Sequence, residues 1–154
     1  MVRFYGNANG KVDDKGRIVL PAIFRDAMVR GGAQDMTFVV KKNVQLQCLD
    51  LFAAQEWERR SDKVLEGLDP ELNTEHAEFW TKYNDGVYTV VADSRLGRLN
   101  IPSELLESAG ITKEVVFGGV GYKLQIWDPE TRKAGLMSNE EFRQSASRLS
   151  SASK

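Results

Sequence analysis

The sequence predicts a mixed fold, mainly β with short helices, built from two copies of a strand–strand–helix–strand–strand unit. The first observation is a repeat: residues 13–21 read DDKGRIVLP and residues 94–102 read SRLGRLNIP, so Gly, Arg and Pro recur at an offset of 81. Such a repeat indicates two similar structural units. The second observation is that each copy passes from a turn through a β-rich run into Pro and an apolar helical pattern. Units of about 50 residues bury little core alone, so we expect the two to pair intimately.

The first copy begins with a strand over residues 7–13 and a turn over 13–16. Aspartate favours a turn because its side chain bonds to nearby backbone, and glycine favours it because it accepts a positive φ. A second strand is predicted over residues 17–20, with alternate side chains on opposite faces. Pro21 suits the first position of a helix, which is predicted to end at glycines 31–32.

The second copy repeats the helix over residues 102–110, and two further strands follow each helix. The first of these strands is predicted at 36–40 in copy one and at 114–117 in copy two. The second is predicted at 46–50 and at 124–128, where LQCLD matches LQIWD. Their offset of 78 implies three extra residues between helix and strand in the first copy.

The predicted domain organisation has four parts. Helical spacing on either side of Pro70 indicates two helices between the repeated units. The C-terminal segment is rich in serine and alanine and has little to bury, which predicts disorder. The parts are a first unit over residues 1–52, a helical linker over 53–86, a second unit over 87–143 and a disordered tail over 144–154.

The sequence offers little material for catalysis or for a metal site. The single histidine, His76, has no second histidine or cysteine nearby, and the single cysteine, Cys48, is predicted to be a buried inert thiol. Residues 118–123 are rich in glycine but lack the Gly-Lys-Ser/Thr ending of a phosphate loop, so a hairpin turn is predicted there. We therefore expect no enzyme, no metal and no cofactor.

Hydropathy and cysteine content bear on location. No apolar run approaches the roughly 18 residues that cross a bilayer, so no membrane partner is expected. The N-terminal residues 1–6 contain no apolar core of a secretory signal. A single cysteine cannot form an internal disulfide, and together these features predict a cytoplasmic location.

Charge is distributed unevenly along a chain whose net charge is only −1. Residues 1–30 carry a net +3 and residues 51–80 a net −5. Such separation predicts either one basic and one acidic face, or two solvated surfaces that merely differ in composition. Local field matters more to an anionic partner than the total charge.

The repeated Gly-Arg turn is the candidate binding feature. Glycine lets the backbone bend sharply while Lys15 and Arg17 project, and arginine suits two-point contact with phosphate or a guanine edge. Asp13, four residues before Arg17, can hold the guanidinium or close the turn. From the residues alone two interpretations stay open: an anion-binding turn, or a structural Asp–Arg pair that locks a hairpin.

A duplicated Asp-x-x-Gly-Arg turn followed by a β-rich run, Pro and a short helix resembles the MraZ family. These bacterial transcriptional regulators consist of two SpoVT-AbrB units. Further segments in the family order support the resemblance, which covers roughly residues 1–143. They are RFYG at 3–6, WE at 57–58, KEVV at 113–116 and QIW at 125–127.

The resemblance implies a swapped-hairpin β-barrel (AbrB-like) in which the two units interleave, and a homo-oligomeric ring of several protomers. It also implies a nucleoid-associated, sequence-specific transcriptional regulator. Its partner would be double-stranded DNA with short direct repeats, upstream of a cell-division and cell-wall gene cluster.

Carried onto this sequence, the family's Asp-x-x-x-Arg turn makes Arg17 the leading DNA contact, with Lys15 beside it. The full set of expected DNA-binding residues is Lys11, Lys15, Arg17, Arg95 and Arg98, with Asp13, Gly16 and Gly97 supporting the turns.

The second copy departs from the family pattern because Ser94 occupies the aspartate position. Asp93 lies one place too early, which implies a longer turn, and serine cannot pair ionically with Arg98. The turn gains Arg95 in compensation. We therefore expect the second unit to keep the fold but to engage DNA differently, or hardly at all.

A different class of function stays open as an alternative. The same unit fold is implied for antitoxin-like or assembly modules that act by binding protein, and fold does not fix function. Such antitoxins carry one unit and a long partner-binding tail, whereas this chain has two units and a short tail.

Overall fold

The computed structural model describes residues 1–152, and this part contains eight strands and six helices. The strands are β1 (Asn7–Lys11), β2 (Arg17–Val19), β3 (Thr37–Lys42), β4 (Leu49–Ala53), β5 (Tyr88–Val91), β6 (Arg98–Asn100), β7 (Glu114–Gly119) and β8 (Leu124–Trp127). The helices are α1 (Ala22–Arg30), α2 (Ala54–Glu66), α3 (Thr74–Asn84), α4 (Ser103–Ser108), α5 (Pro129–Gly135) and α6 (Asn139–Ala152). The predicted mixed fold with short helices is confirmed, and α2 and α3 are the two helices expected on either side of Pro70.

Six of the strands form one sheet in the order β1-β7-β8-β4-β3-β5, and every neighbouring pair is antiparallel. Strands from the two halves of the chain interleave in this sheet. β7 and β8 lie between β1 and β4, and β5 lies beside β3. The halves therefore share one set of backbone hydrogen bonds.

The remaining two strands, β2 and β6, form a separate antiparallel pair. Arg17 lies opposite Asn100, Ile18 opposite Leu99, and Val19 opposite Arg98. The pairing is symmetric about the central Ile18–Leu99 pair, because the offset of 81 relates each residue to its counterpart across this pair.

The core lies between the two sheets and is capped by α1 and α4. Alternate residues of each strand point inward, as the period of two requires. Leu49 and Leu51 of β4 are fully buried, as are Ile18 and Leu99 of the β2–β6 pair. Phe24 of α1 is also fully buried and contacts the rings of Phe4 and Phe117 at centroid distances of 6.1 Å.

The eight strands form two sheets, and no closed barrel is present within residues 1–152. The expected barrel would need continuous pairing of β1 with β2 and of β5 with β6. Between β1 and β2 only an isolated bridge joins Val12 to Ile18. Away from the turn the two strands take other partners, since the Val12 N–H donates to the Lys113 carbonyl and the Leu20 N–H to the Gly97 carbonyl, so the ladder does not continue.

The fourth strand begins three residues later than predicted. Residues 46–48 belong to a turn, because the Asn43 side-chain oxygen accepts hydrogen bonds from the backbone N–H groups of Gln45 and Leu46, at 2.8 and 2.7 Å. β4 begins at Leu49 and β8 at Leu124, which are 75 positions apart. The predicted offset of 78 is therefore wrong, because LQCLD and LQIWD are similar in sequence but do not occupy equivalent positions in β4 and β8.

The C-terminal segment is helical through Ala152, where the sequence predicted disorder over residues 144–154, of which 153 and 154 lie outside the described residues. The cause is a capping box. The Ser138 hydroxyl accepts a hydrogen bond from the backbone N–H of Glu141 (3.1 Å), and the Glu141 carboxylate accepts one from the Ser138 N–H (3.0 Å). An ion pair between Arg143 and Glu140 adds to the first turn.

Replacement of Ser138 by alanine is expected to weaken α6. It removes one half of the capping box, which costs about 1 kcal/mol of helix stability. Hydrogen–deuterium exchange of residues 139–152 measures the effect and should be faster than in the wild type. The matched control is Ser147→Ala at an exposed position within α6, which should leave exchange unchanged or slower. Equal protection in Ser138→Ala and wild type would contradict the capping account.

Candidate nucleic-acid interface

The outer face of the β2–β6 pair presents two arginines. Ile18 and Leu99 point into the core, so the alternate residues on both strands point outward. Arg17 and Arg98 lie on this face, together with Val19, which is directly opposite Arg98 and half-exposed at 49%. The two arginines are diagonal neighbours across the pair, a position about 7–8 Å apart in antiparallel strands. The symmetric register thus brings the two Gly-Arg segments to one surface.

Asp13 holds the first turn and its arginine together. One carboxylate oxygen accepts hydrogen bonds from the backbone N–H groups of Lys15 (2.9 Å) and Arg17 (2.8 Å). The other oxygen accepts one from Arg17 Nε at 2.8 Å. Gly16 adopts a positive φ of 78°, which only glycine accepts without strain. Asp13 and Gly16 together close the first turn.

Asp93 performs the same role in the second turn, which is one residue longer. Its carboxylate accepts hydrogen bonds from the backbone N–H of Leu96 at 2.8 Å and from Arg98 Nε at 2.7 Å. Gly97 has a positive φ of 70°. The longer turn implied by Asp93 is therefore present, and the extra residue lets Asp93 reach the Arg98 guanidinium, which Ser94 cannot pair with.

Both turns are also bonded to the opposite half of the chain. The Gly16 carbonyl accepts a hydrogen bond from the Ile101 N–H (3.1 Å), and the Gly97 carbonyl accepts one from the Leu20 N–H (2.8 Å). Each turn is fixed by the strand that carries the other arginine. The relative position of Arg17 and Arg98 therefore depends on backbone hydrogen bonds as well as on side chains.

Both aspartates have pKa values below the ordinary value of 3.8. For Asp13 the main cause is the hydrogen bond from the backbone N–H of Arg17, and for Asp93 it is the one from Leu96. The ion pairs with Arg17 and Arg98 lower the two pKa values further. Both carboxylates are accordingly charged at neutral pH, as the paired arginines require.

The other three predicted cations lie in the two turns and at the end of β1. Lys15 and Arg95 lie exposed in the two turns, and Lys11 is exposed at the end of β1, opposite Glu114 of β7. The side chains of these three cations make no ion pair within residues 1–152. The structure therefore places the five predicted cations on the two turns and the adjoining strands.

Arg25 is a residue of this region that the sequence analysis missed. Its guanidinium lies against Gly97, where a Cβ atom would collide with it, and Nη2 donates to the Leu20 carbonyl at 3.4 Å. Its Nε is buried without a hydrogen-bond partner in the described part of the chain. The repeat could not predict this contact, because the residue equivalent to Arg25 in the second copy, 81 positions later, is Leu106. Leu106 lies against Gly16 as Arg25 lies against Gly97.

The single cysteine and the single histidine lie outside this face. Cys48 is buried, and burial raises the pKa of its thiol to about 12, which agrees with the predicted inert thiol. His76 Nδ1 accepts a hydrogen bond from the Asp69 backbone N–H at 2.8 Å. Within residues 1–152 no group of three or more His, Cys, Asp or Glu side chains is arranged to hold a metal. No helix in that range is both long and apolar enough to cross a membrane.

Acid is expected to loosen both turns. The folded-state pKa values of Asp13 and Asp93 lie below the unfolded values, so their stabilisation is complete above about pH 4 and is lost as the pH falls through the lowered pKa values. Carbon-13 NMR of the carboxyl groups should show both titrating below 3.8, with Asp93 the lower of the two.

Asp13→Asn and Asp93→Asn should each flatten the decrease in unfolding free energy between pH 5 and pH 2. The control is Asp14→Asn, at the exposed neighbouring position. If Asp13→Asn and Asp93→Asn lose stability with acid as steeply as the wild type and the control do, the assigned hydrogen bonds do not stabilise the fold.

Comparison with known proteins assigns the chain to a family. The family model described as "MraZ protein, putative antitoxin-like" matches residues 4–73 and 86–152. The chain is 31% identical over 142 residues to the Transcriptional regulator MraZ of Bacteroides thetaiotaomicron, covering 92% of this chain and 88% of the relative. It is 33% identical over 140 residues to that of Rhodospirillum rubrum, covering 87% and 84%. With that of Christiangramia forsetii it shares 32% identity over 146 residues, covering 92% and 89%. The chain belongs to the MraZ family.

Proposed function

We propose that this protein is a transcriptional regulator that binds double-stranded DNA through the outer face of the β2–β6 pair. The observation that carries the proposal is the pairing of two Asp-held arginines, Arg17 and Arg98, on one exposed surface. Relatives that match most of the chain are named transcriptional regulators rather than enzymes, which supports the same class of function.

The geometry of each arginine suits DNA recognition. In both turns only Nε is bonded to the aspartate, and within residues 1–152 the Nη donors of Arg17 and Arg98 have no hydrogen-bond partner. The aspartate orients the guanidinium and leaves its two-pronged end free. That end matches the paired acceptors of a guanine edge or of a phosphate. A fixed guanidinium also loses little conformational freedom when it binds.

The β2–β6 pair has a suitable size for the major groove, which admits a two-stranded β-ribbon. In our proposal the arginines on the ribbon contact base edges or phosphates near its centre. Lys11, Lys15 and Arg95 then supply sequence-independent contacts to the backbone phosphates on either side. Both units would contact DNA, since Asp93 gives Arg98 the support that Asp13 gives Arg17.

We further propose that several protomers assemble into a ring that presents several such surfaces. Weak single contacts would then gain affinity from multivalency, which suits short direct repeats. In this account the two interleaved halves are SpoVT-AbrB units, and the DNA repeats lie upstream of a cell-division and cell-wall gene cluster. The protein would act in the cytoplasm in association with the nucleoid.

The alternative is an antitoxin-like or assembly module that binds protein, and the family description supports it by the word antitoxin-like. The two proposals differ in what the Asp-held arginines contact. Copurification of a stoichiometric protein partner, together with no affinity for the gene's own upstream DNA, would favour the alternative.

Arg17→Ala is expected to weaken specific DNA binding by about 1–3 kcal/mol, a roughly 5- to 150-fold increase in Kd. The reason is the loss of one oriented guanidinium from the interface, while Asp13 keeps its backbone hydrogen bonds and the turn persists. Fluorescence anisotropy with the upstream duplex of the chain's own gene measures the Kd, at a stated salt concentration because phosphate contacts make affinity salt-dependent.

The matched control is Lys133→Ala, which removes one exposed cation from α5, outside this face. Size-exclusion chromatography with light scattering should give the same assembly for all three proteins. Wild-type affinity in Arg17→Ala would remove the turn from the DNA site.

A further inference from the structure

A cleft of about 1220 Å³ lies on the face of the six-stranded sheet that points away from the core. Asp50 and Phe52 of β4 face this cleft, while the alternate residues Leu49 and Leu51 are in the core. Helices α2 and α3 and the turns before β4 and β8 form its walls. None of its lining residues belongs to the Asp13 or Asp93 turn. The cleft is therefore a second site, separate from the proposed DNA surface.

The cleft is strongly basic in a chain that is acidic overall. Seven lysines and arginines line it, against two carboxylates, Asp50 and Asp85, and two of the seven, Arg59 and Arg60, are ion-paired with Glu56. The cations are Lys41, Lys42, Arg59, Arg60, Lys63, Lys82 and Lys123. Concave walls concentrate the field of like charges and raise the local concentration of an anion.

The floor of the cleft holds more positive than negative charge. The buried Asp50 carboxylate forms an ion pair with Lys123 Nζ at 3.0 Å, and Lys41 Nζ lies 3.8 Å from its other oxygen. Asn43 Nδ2 also donates to Asp50, at 3.0 Å. One carboxylate thus serves two largely buried lysines, and burial lowers the pKa of Lys41. A buried charge is costly unless it is paired, so an anion bound at this floor would relieve the excess.

The rim adds cations that no carboxylate neutralises. Within residues 1–152 the ammonium groups of Lys63 and Lys82 have no ion-pair or hydrogen-bond partner, and that of Lys42 bonds only to the backbone carbonyls of Asn43 and Leu46. Lys63 lies on α2 and Lys82 on α3, so the two approach the cleft from different helices. Their positions suit the separate charges of a polyphosphate.

Aromatic rings form the other part of the wall. Phe52 contacts Trp57 at a centroid distance of 5.2 Å and Tyr122 at 6.1 Å, and Trp57 stacks on Tyr83 at 5.6 Å. Phe79 is half-exposed at the rim. Arg60 covers the Tyr122 ring at 3.9 Å from its centroid, so a planar ring would stack at the rim, on Phe79 and the neighbouring Tyr83.

We propose that this cleft binds a small phosphorylated molecule with a planar ring, the chemistry of a nucleotide. The free ammonium groups would bind the phosphates and the aromatic wall would stack the ring. Two features favour a small ligand over an acidic protein segment. The uncompensated charge lies at the floor of a concave site, and aromatic faces line the same walls. The inference is independent of the proposed DNA site, which shares no residue with the cleft.

Isothermal titration calorimetry of the full chain tests the proposal with four probes: ATP, GTP, inorganic triphosphate and adenosine. We expect ATP or GTP to bind once per chain and more tightly than triphosphate or adenosine alone. Lys63→Glu combined with Lys82→Glu should raise the Kd by about tenfold or more, as loss of about 1.4 kcal/mol requires. The control, Lys133→Glu, makes one like change at an exposed site outside the cleft and should bind as the wild type does. All three positions are exposed, and circular dichroism should show unchanged folds.

Three results would overturn the proposal. They are no binding of either nucleotide, equal binding by the wild type and the double variant, and triphosphate binding as tightly as the nucleotides. A changed assembly state of the double variant without nucleotide binding would instead identify the cleft as an interface between copies. DNA affinity is measured separately on the same proteins. A loss of nucleotide binding with unchanged DNA affinity therefore concerns the cleft alone, and a loss of DNA affinity concerns the DNA surface.

Discussion

The pairing of β2 with β6 is the constraint on which the rest of the structure depends. Only three residues of each strand pair, yet Ile18 and Leu99 are completely buried at the centre. The flanking bonds from Leu20 to Gly97 and from Ile101 to Gly16 fix both turns to this pair. Because the interleaved six-stranded sheet covers the other side, neither half of the chain can move without breaking shared hydrogen bonds. Rigidity at this point lets two flexible side-chain types, arginine and aspartate, have defined positions.

Local chemistry made much of this region predictable. The Gly-Arg turn, the buried Ile18 and the helix after Pro21 depend on residues within a few positions of one another. The ion pair of Asp93 with Arg98 was harder to predict. Asp93 lies one place earlier than the family aspartate, so it reaches Arg98 only because the second turn is one residue longer. The displaced β4 and the helical α6 were missed for a similar reason. In both segments a polar side chain, Asn43 or Ser138, accepts hydrogen bonds from nearby backbone N–H groups. These bonds set the local structure, whereas the prediction had relied on strand propensity in one segment and on composition in the other.

Long-range features could not be derived from the residues. Barrel closure depends on whether β1 and β2 continue to pair beyond the single bridge between Val12 and Ile18. The sequence near the two strands does not indicate this. The basic cleft combines cations from β3, α2, α3 and the turn before β8. Arg25 likewise contacts Gly97, a glycine 72 positions away. The charge pattern was informative but incomplete. Within the acidic segment 51–80, Arg59, Arg60 and Lys63 all line the cleft, so the segment does not present a uniform acidic face.

The central claim is that both turns form one DNA-binding surface, although the second lacks an aspartate at the family position. The most direct test is the affinity of Arg98→Ala for the duplex that the wild type binds, compared with Arg17→Ala under the same salt. The equivalent ion pairs at 2.8 and 2.7 Å predict losses of similar size in the two variants. Wild-type affinity in Arg98→Ala, with a large loss in Arg17→Ala, would contradict the account and confine DNA contact to the first turn.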